Sequence, residues 1–168
     1  TGRKANTANI GLEHTDIVTN ERGAIVVNDT CESSAPGVYA VGDVNGGPQF
    51  TYVSLDDFRI VFGALTGNSQ YTLKDRKNIP YTTFLTPPLS RVGLTEEDAI
   101  NQGYTVKTKE MLVATMPRAH VNDYLKGAFK IVVDADNDLI LGATLYSQGA
   151  EELINLIKMA MDNNIPYT

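Results

Sequence analysis

One segment of this 168-residue chain combines residue types that can handle a ligand. It reads Thr30-Cys31-Glu32-Ser33-Ser34-Ala35-Pro36-Gly37-Val38-Tyr39-Ala40-Val41-Gly42-Asp43. Pro36-Gly37 marks a turn, and the apolar run Val38 to Val41 predicts a short strand that closes on Gly42 and Asp43. A glycine there permits close approach to the backbone. A carboxylate at the C-terminal end of a strand lies where open α/β sheets take their ligands. The arrangement suits the holding of a nucleotide-type cofactor, although an aspartate at a strand end can equally cap a turn.

The other reactive side chains form no such constellation. Cys31 is the single cysteine, which rules out an intrachain disulfide or a thiol pair within the chain. It lies in a polar loop with no neighbour to lower its pKa, and reads as a bystander. His14 and His120 are far apart and lack ligand spacing, so no metal site is predicted. Asp134-x-Asp136-x-Asp138 imitates the start of a calcium loop. Leu139 stands where that loop needs glycine and Leu145 where it needs glutamate, so a hairpin turn is expected instead.

The elements that position Asp43 follow from periodicity. Ile17 to Thr19 and Ala24 to Val27, joined by Asn20-Glu21-Arg22-Gly23, predict a β-hairpin. From Ser54 onward Leu55, Phe58, Val61, Phe62 and Leu65 recur at helical spacing, with Asp56 and Asp57 assigned to the first turn and Gly67 beyond the last apolar position. The helix begins near residues 51–54, about ten residues after Asp43. Residues 68–78 are polar and predict a boundary, which divides the chain into 1–70, a linker at 71–78, and 79–168. Beyond it, Tyr81 to Leu85 is β-rich, Thr86-Pro87-Pro88 breaks the run, and Thr86-Pro87 is a candidate cis bond. Thr95 reads as the N-cap of a short helix with Glu96, Glu97 and Asp98 in its first turn, ended by Gly103. Val106 to Met116 predicts a strand region, and Ala128 to Val133 with Leu139 to Leu145 a hairpin. Glu151 to Met161 predicts an amphipathic helix with Leu153, Ile154, Ile157, Ala160 and Met161 inward. The fold class is α+β.

A hydrophobic content of 42% supports a core, and a net charge of -6 without any basic run disfavours nucleic acid as a partner. No apolar stretch approaches the ~18 to 20 residues of a membrane span, and no signal pattern opens the chain. The lone cysteine fits a cytoplasmic location. A start at Thr1 and an end just after a helix lead to the expectation that the chain is a fragment of a longer protein.

The Thr30 to Asp43 segment resembles the second flavin-binding motif of the FAD-dependent pyridine nucleotide-disulfide oxidoreductases. Pro87-Pro88-Leu89-Ser90-Arg91-Val92-Gly93-Leu94-Thr95-Glu96 is similar to the opening of that family's C-terminal interface domain. Thr1-Gly2-Arg3 resembles the segment leaving its NAD(P)H domain, and residues 11–70 the part of the FAD domain that follows. Within the family, Gly42 to Val61, Asp75 to Tyr81 and Glu152 to Met159 are similar to the reactive-chlorine-resistance flavoproteins, which include hypothiocyanous acid reductases.

The resemblance implies a partial FAD-binding domain followed by an α+β dimerisation (interface) domain with an antiparallel sheet and flanking helices. It implies that Asp43 accepts a hydrogen bond from the ribitol of FAD, that Gly42 allows the approach, and that Phe50 and Thr51 lie along the isoalloxazine edge. The N-terminus of the following helix would face the pyrimidine side. Electrons would pass from NAD(P)H to FAD, then to a Cys-x-x-x-x-Cys pair, then to a small-molecule oxidant. The chain contains no Gly-x-Gly-x-x-Gly turn, no such cysteine pair and no His-Pro dipeptide. Implied, therefore, is a parent enzyme using FAD and NAD(P)H, a fragment with no catalytic residue of its own that retains no FAD, and a homodimer through residues 79–168. Two alternatives stay open: a stand-alone α+β homodimerisation module without cofactor, and a glutathione-, mercuric- or dihydrolipoamide-type reductase.

Overall fold

The computed structural model describes residues 2–168, so Thr1 of the Thr1-Gly2-Arg3 segment lies outside the described residues. The chain forms two compact units, Thr1–Arg76 and Lys77–Thr168.

In the first unit the backbone pairs through single bridges: Thr19 with Ile25, Val27 with Ser33, and Glu32 with Tyr39. The hairpin expected at 17–27 is thus reduced to a tight reversal, and the strand expected at Val38 to Val41 to one bridge at Tyr39. The reason lies in the spacing of the turns. Gly23 N–H donates to Asn20 O, Cys31 N–H to Asn28 O, and Val38 N–H to Ala35 O, so each extended run is cut before a ladder can propagate. At the second of these reversals Cys31 takes a left-handed conformation (φ 64°), which turns its side chain inward. Contrary to the polar-loop expectation, Cys31 is fully buried, and Ala24, Ile25, Ala40, Val53 and Ile60 are the other buried apolar side chains of this unit.

Helix α1 spans Thr51–Leu65 and starts ahead of Ser54, which moves Asp56 and Asp57 out of the first turn, where no acidic residue stands. Its inner face is Val53, Asp57 and Ile60, whereas Leu55, Phe58, Phe62 and Leu65 are exposed. Helical spacing identified the apolar stripe correctly but not the direction in which it points. A single 3-10 turn, Leu73–Asp75, follows and is tied to the preceding loops by Leu73 N–H donating to Asp29 O at 2.9 Å.

The second unit is a five-stranded antiparallel sheet with helices. Strands β1 (Tyr81–Thr83), β2 (Leu89–Gly93), β3 (Val106–Leu112), β4 (Ala128–Asp134) and β5 (Ile140–Tyr146) lie in the order β1-β2-β5-β4-β3. The expected β4–β5 hairpin is present, with Phe129 opposite Leu145 and Ile131 opposite Ala143. Its turn uses the acidic triplet internally: Asp134 Oδ1 accepts Asp136 N–H at 3.1 Å, and Asp134 O accepts Asp138 N–H at 2.9 Å. The Thr86–Pro87 bond is cis, as anticipated. Helix α2 (Glu96–Asn101) is capped by Thr95 as the sequence predicted.

Three features of this unit were missed. Strand β2 was legible only as a motif, because its small and polar residues gave no alternation signal. Strand β3 ends at Leu112 rather than Met116, because the chain tightens at once into a 3-10 turn, Val113–Thr115, after which Pro117, lacking an N–H, opens a short helix α3, Pro117–Asn122. Helix α4 (Ala150–Asp162) packs on β2 and β5 through Ala150 and Ile154, against Val92, Ala143 and Leu145, with Phe129, Ile157 and Met161 around them. Leu153, expected inward, is exposed. Gly142 makes the β2–β5 approach possible, because a Cβ there would fall 2.0 Å from Leu94 O. Among the described residues no helix is long and apolar enough to cross a membrane.

Candidate cofactor site

After the Tyr39 bridge the chain tightens into a 3-10 turn, Gly42–Asn45, closed by Gly46 in the left-handed conformation. Gly42 is buried with φ 71°, and a Cβ added to it would stand 2.8 Å from Ser54 Oγ and 3.1 Å from Ser54 Cβ. Glycine at this position therefore lets the turn lie flush against the first turns of α1. What approaches Gly42 within the chain is the helix itself.

The turn is anchored by Asp57, which is fully buried. Its Oδ2 accepts Gly42 N–H at 2.7 Å and Asn45 Nδ2 at 2.9 Å, so one oxygen holds both ends of the turn. Asn45 Oδ1 in turn accepts Gly47 N–H at 3.0 Å. The other oxygen of Asp57 pairs with Arg76 Nη2, while Arg76 Nε donates to Asp56 Oδ2 at 2.7 Å. Burial works against the charged guanidinium, but hydrogen bonds to Asp57 and Asp56 outweigh it and raise the Arg76 pKa. Tyr71 Oη donates to the same Asp56 oxygen at 3.3 Å, and burial together with that carboxylate raises the phenol pKa. None of Asn45, Asp57 and Arg76 was singled out from sequence. The available signal was an acid on the Val53–Ile60 face, since a buried carboxylate requires a partner. The partner lay beyond α1 in the presumed linker, where no periodicity reaches.

Asp43 behaves oppositely. Its carboxylate is half exposed and receives Arg3 Nη1 at 2.9 Å. It borders a cleft of about 410 Å³ lined also by Arg3, Asn20, Arg22, Gly46 and Gln49. Phe50, the residue after Gln49, precedes α1 directly, and Thr51 is its first residue; no side chain caps this helix end. The Phe50 ring stacks on Tyr52 with centroids 5.4 Å apart. Of the four predicted site residues, Gly42 and Asp43 share the turn, Phe50 and Thr51 open the helix, and Ser54 and Asp57 join the two pairs. An open carboxylate beside a cleft can accept hydrogen bonds from a polyhydroxyl chain, and the start of a 15-residue helix favours electron-rich groups. Cys31 is not a candidate nucleophile, because burial, reinforced by the Asp57 carboxylate, pushes its thiol up to about 11. Among the described residues no group of three His, Cys, Asp or Glu side chains is arranged to hold a metal ion.

The dimerisation-domain profile of the pyridine nucleotide-disulphide oxidoreductases matches residues 79–168, and the companion pyridine nucleotide-disulphide oxidoreductase profile matches residues 1–57. The chain belongs to this family. The antiparallel sheet with α4 packed across it is the family's dimerisation domain, and members are flavoproteins that use FAD and a pyridine nucleotide. The chain is 46% identical over 99% of its length to the probable pyridine nucleotide-disulfide oxidoreductase RclA of Escherichia coli. It is 36% identical over 96% of its length to a mercuric reductase of Staphylococcus aureus, and 36% identical over 92% to dihydrolipoyl dehydrogenase of Bacillus subtilis. It spans 38%, 29% and 32% of those three relatives. The solved structure of RclA, described as an HOCl-induced flavoprotein disulfide reductase, superposes with a TM-score of 0.93 over 99% of this chain and 38% of that one.

Proposed function

We propose that these residues are the C-terminal share of an FAD-dependent NAD(P)H disulfide oxidoreductase, supplying the ribitol side of the flavin site and the surface that pairs two subunits. The observation that carries this reading is the contrast between the two carboxylates flanking the Gly42 turn: Asp57 is buried as an internal strut, and Asp43 is left open beside a cleft. FAD, when held beside Gly42, Asp43, Phe50 and Thr51, would supply the hydride and electron transfer between a reduced nicotinamide and a disulfide.

The chain's own part is binding and orientation. Asp43 accepts hydrogen bonds from ribitol hydroxyls, with Arg3 steadying the carboxylate from one side. Phe50 and Thr51 flank the ring edge, and the start of α1 favours negative charge there. Gly42 lets the turn sit against α1, close enough for both pairs to serve one ligand. Residues 79–168 form the homodimer. The 168 residues hold one cysteine where a redox pair needs two, and no Gly-x-Gly-x-x-Gly turn to take the FAD pyrophosphate, so in this reading the chain by itself turns over no substrate and keeps no FAD. The substrate is a small oxidant of the hypothiocyanous acid type, supported by the 46% identity to an HOCl-induced reductase, and the single cysteine suits the cytoplasm.

Asp43→Ala in a full-length enzyme carrying this chain is expected to weaken FAD binding by about tenfold or more, the worth of a charge-assisted hydrogen bond, in a fluorescence titration. Unchanged affinity would overturn the flavin assignment. Sedimentation of the 168-residue chain is expected to give a dimer, and a monomer would remove the pairing role. Steady-state rates with hypothiocyanous acid, glutathione disulfide and dihydrolipoamide decide the substrate class.

A further inference from the structure

We propose that Asp57 is a positioning residue for Asp43: with Arg76 as its counter-ion, it fixes the Gly42–Asn45 turn and so sets the direction in which the Asp43 carboxylate is offered. What that carboxylate is offered to rests on the flavin reading above. The hold of Asp57 on the turn does not.

An ionised carboxylate taken fully out of water needs its lone pairs filled, and at Asp57 they are filled in a divided way. One oxygen faces Arg76, which satisfies the charge. The other faces the turn alone, receiving the first residue's backbone N–H at 2.7 Å and the last residue's side-chain amide at 2.9 Å. An ion pair serving only stability would not need that second oxygen to bridge the turn's two ends. Ser54, one helical turn before Asp57 on the same face of α1, occupies the space a Cβ at Gly42 would require, so the turn has no room to shift toward the helix. Asp43 follows Gly42 directly; its backbone carbonyl accepts Gly46 N–H at 3.3 Å within the turn, and among the described residues its side chain is restrained by the exposed pair with Arg3. The direction of that side chain therefore follows from how the turn is seated: Val44 O accepts Ile25 N–H at 2.9 Å on one side, and Asp57 holds the turn's first and last residues to α1 on the other. Arg76, gripping both Asp57 and Asp56, is the last residue of the first unit.

The test is a double-mutant cycle on FAD affinity in a full-length enzyme carrying this chain, using Asp57→Asn, Asp43→Ala and the pair. Asp57→Asn is expected to weaken FAD binding about tenfold in the parent background and less than about twofold when Asp43 is already alanine, because it acts through that side chain. Equal effects in both backgrounds would mean a general structural role and would overturn the proposal. Full FAD affinity in Asp57→Asn, with affinity lost in Asp43→Ala, would overturn it while leaving the flavin reading intact; retention in both would sink the flavin reading itself. Arg76→Lys keeps the charge and loses the fork, and is expected to show the same background dependence at smaller size. It serves if Asp57→Asn does not fold. In the 168-residue chain, without flavin, Asp57→Asn is expected to speed amide exchange at Gly42 more than at Ala40 or Ile60. Uniform acceleration at all three would also count against a local role.

Discussion

The packing of the Gly42 turn on α1 can be measured by comparing two alanines. At Gly42 an alanine would adopt φ 71°, a region that costs an L-residue about 1–2 kcal/mol, and its methyl would lie 2.8 Å from Ser54 Oγ and 3.1 Å from Ser54 Cβ. At Gly37 the backbone is nearly the same, φ 78°, and nothing lies within 4 Å of the added methyl. Both sites are in the first unit, and both substitutions reduce the freedom of the unfolded chain equally, so that contribution cancels in their difference. What remains is overpacking, which costs about 1–3 kcal/mol. Gly42→Ala should therefore destabilise by about 1–3 kcal/mol more than Gly37→Ala. Adding Ser54→Ala to Gly42→Ala deletes the atom at 2.8 Å, leaves the contact at 3.1 Å, and should return about 1 kcal/mol. The chain has no tryptophan, so native-state amide exchange is the assay, read at Ile25 and Ala40, which donate to Val44 O and Cys31 O, and at Ile60 in α1. Losses at the two glycines that agree within about 0.5 kcal/mol would refute the packing argument.

Two further outcomes follow from single groups. Thr95 Oγ1 accepts Asp98 N–H at 3.0 Å and the Asp98 carboxylate accepts back from Thr95, so Thr95→Ala should cost about 1 kcal/mol and speed exchange at Ala99 and Gln102. Those same bonds hold the Asp98 carboxyl below its usual range, and its NMR titration should return toward ordinary values in Thr95→Ala. The stabilisation linked to Asp98 is whole above about pH 4, where the unfolded side chain is ionised, and is lost as pH falls through the depressed folded value. Cys31, with its thiol raised to about 11 first by burial and then by Asp57, should resist a disulfide-exchange reagent at pH 8 in the native state and react only as the first unit opens. Because the unfolded thiol ionises near 9 and the folded one near 11, its contribution is present below 9 and is lost as pH rises to 11. Rapid native-state labelling would contradict the burial.

The second unit was the more legible part. The apolar runs Ala128 to Val133 and Leu139 to Leu145, broken by a polar turn, and the Thr95 capping residues are local codes, read by short-range sterics and hydrogen bonding, and the β4–β5 hairpin and α2 follow them. Strand β2 escaped because Ser90 and Arg91 interrupt its pattern, and its place depends on β5 and α4, both distant in sequence. In the first unit, closely spaced turns overrode the apolar runs and left bridges where strands were expected.

The sequence by itself determined the residue types of the candidate site, the Gly42-Asp43 pair at the end of an apolar run and Phe50-Thr51 ahead of a helical stripe, because spacing along the chain is a local property. It did not determine which acid serves which purpose. Asp43 and Asp57 are the same side chain, and only the packing of α1 on the 42–45 turn, with Arg76 brought in from beyond the helix, buries one and leaves the other in water. Burial belongs to a face and its neighbours rather than to a residue, and the neighbours are assembled only in three dimensions.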